Sequence, residues 1–286
     1  MKFLSFTKDN KSYFGGICSE GVVNLSKRCP EIIDLRQAIR EQRLEELTKV
    51  VTSSEADCSL DDIQYKPTIP NPEKIICIGV NYNNRNAEYK DDSDLPKYPS
   101  VFMRSRESLV GHGQQINNPP ESEQLDYEGE IVLIIGKEGR RISEEDAHEH
   151  IAGLTIMNEG SVRDYLRHAK FNVTQGKNFE GSGSVGPWMV TADEVDPMGR
   201  LQVVTRVNGE ERQNDVTDNL MFPFRFLISY LSSFYRLKPG DLIATGTPNG
   251  AGARFDPPKY LREGDVVKVE VPGVGILSNP IIDELI

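Results

Sequence analysis

Three carboxylates placed where apolar runs begin or end are the residues from which chemistry can start. Leu125-Asp126-Tyr127-Glu128-Gly129-Glu130 leads without a break into Ile131-Val132-Leu133-Ile134-Ile135-Gly136. That run has the length and branched composition of a buried strand. A strand beginning near Leu125 puts Asp126, Glu128 and Glu130 on one face. Carboxylates at the head of a core strand are costly unless their charge is compensated. A divalent cation is the simplest compensation. Glu159 closes a second apolar run, Leu154-Thr155-Ile156-Met157-Asn158. Three carboxylates from two strand ends suit a hard ion such as Mg²⁺, Mn²⁺ or Ca²⁺. Zinc is disfavoured, because no histidine or cysteine lies nearby in the sequence. Taken alone, Glu128 and Glu130 fit the solvated face of an edge strand equally well.

The remaining candidates each carry a plainer reading. Lys177, between Gly176 and Asn178, has the setting of an ordinary loop lysine. Thr245-Gly246-Thr247-Pro248-Asn249-Gly250 follows an apolar run, where a hydroxyl and a backbone N–H can hold a carboxylate or simply make a turn. Asn81-Tyr82-Asn83-Asn84-Arg85-Asn86-Ala87-Glu88 follows a buried strand, and Arg85 and Glu88 share one helical face, as an ion pair would. Residues 181–186 match GxGxxG by letter, but Pro187 and Trp188 follow where the dinucleotide fingerprint needs a helix. A flexible loop is expected there. His148-Glu149-His150 lies in an acidic turn and is expected at the surface. His112 is expected in a turn and His168 in a polar stretch. With no obvious histidine base and no GxSxG, a serine or cysteine triad is not expected.

Composition bounds the rest. A chain of 286 residues, 37% hydrophobic and 27% charged, has the make-up of a globular protein with a sizeable core. A net charge of -11 argues against general binding to nucleic acid or an anionic membrane. No apolar stretch approaches a membrane helix. Four scattered cysteines with no CxxC read as reduced structural thiols, so a cytoplasmic setting is expected.

These candidates must be held by strands more than helices. Short strands are expected at 2–6, 12–18 and 21–25, then a helical stretch over 31–51 and a proline-rich linker near residue 70. This divides the chain into a small N-terminal unit, 1–69, and a main unit, 70–286. The main unit opens on a buried strand at 74–80. Strands are expected at 153–157, 188–191, 201–208, 242–244 and 266–271, with helices at 85–90, 143–150, after Ser161 and at 222–234. Asn208-Gly209 signals a hairpin. Strand, helix and turn do not alternate regularly, so the expected class is α+β, mostly β, with a closed or rolled mixed sheet.

Taken in order, Gly79-Val80-Asn81-Tyr82, Leu125-Asp126-Tyr127-Glu128-Gly129-Glu130, Ser161-Val162-Arg163-Asp164, Gly176-Lys177-Asn178-Phe179, Gly186-Pro187-Trp188, Arg206-Val207-Asn208-Gly209-Glu210 and Lys238-Pro239-Gly240-Asp241 leading to Thr245-Gly246-Thr247-Pro248 resemble the fumarylacetoacetate hydrolase family over residues 70–282. The resemblance implies a mixed β-sandwich roll with a small N-terminal α/β domain, usually in a homodimer. It implies Mg²⁺, Mn²⁺ or Ca²⁺ held by Glu128, Glu130 and Glu159, the last standing where the family usually has aspartate. Lys177 then steadies enolate charge. Tyr82, Arg104, Arg163 and Thr247 fall where the family contacts substrate, Arg104 standing where lysine is common. The family's water-activating pair is histidine and glutamate. Here Glu88 keeps the glutamate, but Arg85 holds the histidine place, and arginine does not act as a base near neutral pH. The resemblance thus leaves Glu88 to move the proton and Arg85 to clamp a substrate carboxylate. The implied activity is on small α-keto or β-diketo acids through an enolate: C–C hydrolysis, isomerisation or decarboxylation. Dehydration of 2-keto-3-deoxy sugar acids and a catalytically silent keto-acid binder are the alternatives.

Overall fold

The computed structural model describes residues 1–84, 95–169 and 172–285. The chain opens with antiparallel strands β1 (Lys2–Lys8), β2 (Lys11–Cys18) and β3 (Gly21–Asn24). Helices α1 (Leu25–Arg28), α2 (Leu35–Arg40) and α3 (Leu44–Thr52) follow. Asn24 and Asp34 start the first two by accepting from backbone N–H groups inside them. The pattern over 31–51 predicts one helix. Two form, because Gln42 between them takes a φ of 56°, where a right-handed helix cannot continue.

Next come β4 (Ile75–Gly79), β5 (Ser100–Met103), β6 (Gly129–Ile135) and β7 (Ile151–Asn158). Helix α4 (Thr174–Lys177) leads to β8 (Gly183–Thr191) and the hairpin β9 (Gln202–Val207) and β10 (Glu210–Val216). Helix α5 (Phe224–Phe234), β11 (Leu242–Ala244), β12 (Val266–Val271) and β13 (Gly275–Asp283) complete the chain. At the β9–β10 turn Asn208 and Gly209 have φ of 50° and 84°, the geometry the Asn-Gly signal predicts.

The larger sheet runs β3-β2-β1-β8-β7-β6-β11-β4-β5, and a smaller one runs β10-β9-β12-β13. Alternation along β6 explains why both faces of the large sheet are covered. Ile131, Leu133 and Ile135 join Val203, Val267, Val269 and Leu277 of the small sheet in one apolar core. Val132 and Ile134 point the other way, into a second core with Leu35, Ile39, Leu47 and Val51 of α2 and α3. The fold is therefore a mostly β roll, as expected. Strand β1 pairs with β8, so the larger sheet continues into the N-terminal residues.

Several local expectations change. The run from Leu125 is not one strand: Leu125–Asp126 pairs with Ser161–Val162, and β6 starts only at Gly129. The GxGxxG letters are not a flexible loop, since residues 181–186 are buried and run into β8 at the middle of the sheet. Over 143–150 only the single turn Ala147–His150 is helical. His150 is buried, with Nδ1 2.8 Å from the Lys137 carbonyl, whereas His148 is exposed as expected. Burial of His150 follows from its place at the start of core strand β7. His112 stands near Ser278, whose backbone N–H donates to its Nδ1. The helix expected at 85–90 lies outside the described residues. Among the described residues no helix is long and apolar enough to cross a membrane.

Asn81, just beyond β4, ties three segments together. Its amide donates to the Phe222 and Thr245 carbonyls at 3.0 and 2.8 Å and accepts from Phe222 N at 2.8 Å. All three bonds are buried, so truncation leaves backbone groups without partners. Asn81→Ala is expected to lower stability by about 3 kcal/mol in denaturant unfolding; a change below about 0.5 kcal/mol would contradict this role.

Candidate functional site

Adjacent strand ends create the site. β6 and β7 are antiparallel neighbours with Gly129 opposite Asn158. Hence Glu128, just before β6, and Glu159, just after β7, leave the sheet side by side. The Glu159 N–H donates to the Glu128 carbonyl at 2.7 Å, and the Glu128 N–H donates to Asn158 Oδ1 at 3.0 Å. Glu130, the second residue of β6, reaches the same point. One carboxylate oxygen from each of Glu128, Glu130 and Glu159 lies within 4.8 Å of the others, and all three residues are buried.

Asp126 does not join them. The break before β6 ends the alternation that would have aligned it. Its carboxylate instead accepts from Arg163 Nε at 2.7 Å and from the backbone N–H groups of Tyr127, Gly252 and Ala253.

Three cations face these carboxylates. Lys177 Nζ lies 3.0 Å from Glu128 Oε2 and 2.7 Å from Glu159 Oε2. Arg163 Nη1 meets Glu128 Oε1 at 2.7 Å, and Arg104 Nη1 meets Glu159 Oε1 at 2.7 Å. Burial alone would raise the Glu128 carboxyl, but Lys177, Arg163 and the Ser161 hydroxyl hold it at about 2. Glu130 differs: its carboxylate accepts from Gly246 N at 2.8 Å. Burial, then the Glu159 and Glu128 charges, push Glu130 well above the usual carboxylate range. Burial also raises Glu159, against the pull of Lys177 and Arg104. Burial works to lower Lys177, but Glu128 and Glu159 outweigh it and raise it above its ordinary value.

A cavity of about 430 Å³ opens onto this cluster. Glu128, Lys177, Arg163, Tyr82 and Thr247 line it, with Phe102, Leu166 and Val173 on the apolar side. Burial pushes the Tyr82 phenol well up from its ordinary value. Thr247 already uses its hydroxyl, donating to the Gly129 carbonyl and accepting from Gln213 Nε2, both at 2.9 Å.

Arg104 is not among the lining residues. Expected to touch substrate, it lies 4% exposed, clamped by Glu159, the Gly160 carbonyl and Ser182. Its physical task is to hold Glu159. Arg85 and Glu88 lie outside the described residues. Sequence reasoning missed Ser161, whose hydroxyl donates to Glu128, and Arg254 at the cavity wall. Ser161 stands within a motif already noted, whereas nothing local marks Arg254.

The donor set fits a hard divalent ion. It offers only carboxylate oxygens, and four buried carboxylates, counting Asp126, face three cations. The surplus negative charge falls on Glu130.

Fold and site together define a β-roll protein with an acidic centre at the floor of a cavity. The chain belongs to the fumarylacetoacetate hydrolase family and is one of its enzymes: the model of the fumarylacetoacetate (FAA) hydrolase C-terminal domain matches residues 74–282. It is 42% identical over 226 residues to an oxaloacetate tautomerase of Bacillus subtilis, covering 78% of this chain and 74% of that one. A mitochondrial oxaloacetate tautomerase of Xenopus laevis is 38% identical over 85% of this chain and 76% of its own. Among solved structures, a fumarylacetoacetate hydrolase from Exiguobacterium antarcticum superimposes with a TM-score of 0.81 at 30% identity, covering 99% of this chain and all of that one.

Crowding at Glu130 generates a test. Glu130→Gln removes the charge but keeps an oxygen for the Gly246 N–H. The variant is expected to melt higher than the parent in chelator and to bind Mn²⁺ at least about tenfold more weakly by calorimetry. Parental Mn²⁺ affinity in the variant would show that Glu130 is no ligand.

Proposed function

We propose that this chain is a divalent-cation-dependent tautomerase that interconverts the keto and enol forms of oxaloacetate or a closely similar short keto acid. The observation that carries the reading is the buried trio Glu128, Glu130 and Glu159, with ligand oxygens within 4.8 Å of one another, beside Lys177. The two tautomerase relatives support the choice of substrate. The trio would hold Mg²⁺ or Mn²⁺, which when bound supplies Lewis-acid polarisation of a keto oxygen.

The chain's own groups divide the remaining work. Lys177, seated between two carboxylates, supplies positive charge where an enolate oxygen develops. Arg163 offers a guanidinium at the cavity wall for a substrate carboxylate. The apolar wall of Phe102, Leu166 and Val173 limits water around the reacting carbon.

Tautomerisation moves one proton from carbon to oxygen and consumes no water. It therefore asks for a single proton carrier, the role the sequence expectation gives to Glu88. Hydrolysis needs in addition an activated water, which Arg85 in the histidine place does not provide. The second reading, C–C hydrolysis of acylpyruvates, is kept by likeness to the Exiguobacterium hydrolase.

A screen of Mg²⁺- and Mn²⁺-loaded protein against oxaloacetate, acylpyruvates and 2-keto-3-deoxy acids separates the readings. Enol-to-keto conversion of oxaloacetate above the metal-only rate is expected. Turnover confined to acylpyruvates would replace the proposal by hydrolysis. Lys177→Met is expected to cost about 100-fold or more in kcat on oxaloacetate; parental kcat would remove Lys177 from the chemistry.

A further inference from the structure

The opening of the cavity carries a cation not assigned to the acidic cluster. Arg254 lines the same cavity as Arg163, Lys177 and Asn249 and is exposed, whereas Lys177 and Arg163 are buried. The backbone leading to it is fixed from beneath. Gly252 N and Ala253 N donate to Asp126 Oδ1 and Oδ2 at 2.8 and 2.9 Å. A Cβ on Gly252 would come within 2.6 Å of Asp126 Oδ1 and 2.2 Å of the Lys259 carbonyl, so the close seat requires glycine.

The carboxylate that anchors this loop also accepts from Arg163 Nε at 2.7 Å. One fully buried aspartate thus sets two arginines along one wall, Arg163 through its side chain and Arg254 through the two residues before it. Among the described residues the other charged groups lining the cavity are Glu128 and Lys177. A keto acid with one carboxylate uses only the buried end of such a cavity. A second carboxylate meets a guanidinium at the opening, whose planar fork suits it.

We infer that Arg254 is a specificity-determining residue, docking the second carboxylate of a keto diacid, with Asp126 fixing its loop. The inference rests on the keto-acid reading of the site and names the residue that sorts diacids from monoacids.

Affinity tests this without requiring turnover. Calorimetry on the Mg²⁺-loaded protein would compare oxaloacetate with 2-oxobutanoate, which has the same number of carbons and one carboxylate fewer. Oxaloacetate is expected to bind at least about tenfold more tightly, and Arg254→Gln to close most of that gap. Arg254→Lys, which keeps the charge but not the fork, is expected to retain part of it. Equal affinities in the parent, or a gap that survives Arg254→Gln, would overturn the assignment. A diacid preference that depends on Arg254 in a protein with no tautomerase turnover would discard the proposed reaction and leave the assignment standing.

Discussion

Mutual repulsion among three buried carboxylates is the constraint around which the molecule is arranged. Glu128, Glu130 and Glu159 bring their oxygens together at the ends of core strands, where water cannot screen them. Lys177, Arg104 and Arg163 offset part of the charge, each within 3.0 Å of a carboxylate oxygen. They do so unevenly. Glu128 is held down at about 2, while Glu130 is driven up by burial and by its two neighbours. A cluster that leaves one carboxylate short of compensation has the chemistry to suit an added hard cation.

Sheet geometry keeps that arrangement from relaxing. The antiparallel pairing of β6 and β7 makes Glu128 and Glu159 neighbours, and the β11 end delivers the Gly246 N–H to Glu130. Gly246 has a φ of 103°, and a Cβ there would lie 2.6 Å from Asn81 Cβ. Arg104 and Glu159, the two positions that the resemblance marks as departures from the family pattern, meet in a single ion pair 2.7 Å long.

Much of this was legible from residue order. Period-two alternation and β-branched runs located β4, β6, β7, β11 and β12, and the acid at each strand end was visible as a break in apolar composition. What escaped depended on contacts distant in sequence. Asp126 follows the alternation by letter, yet the strand is interrupted at residues 127–128, and its partners lie near residues 163 and 252. The glycines at 181–186 look like a loop, but their missing side chains let strands approach: a Cβ on Gly183 would sit 2.8 Å from the Asn158 carbonyl. Arg104 looks like a substrate ligand because its task is set by Glu159, 55 residues away. Arg254 gave no local signal, since its place depends on an aspartate more than a hundred residues earlier.

The direct measurement is the anomalous signal from manganese in crystals grown with Mn²⁺. The account predicts one peak bounded by carboxylate oxygens of Glu128, Glu130 and Glu159 within the cavity that Lys177 lines. Manganese bound elsewhere, with these three carboxylates paired only to Lys177 and the arginines, would contradict it.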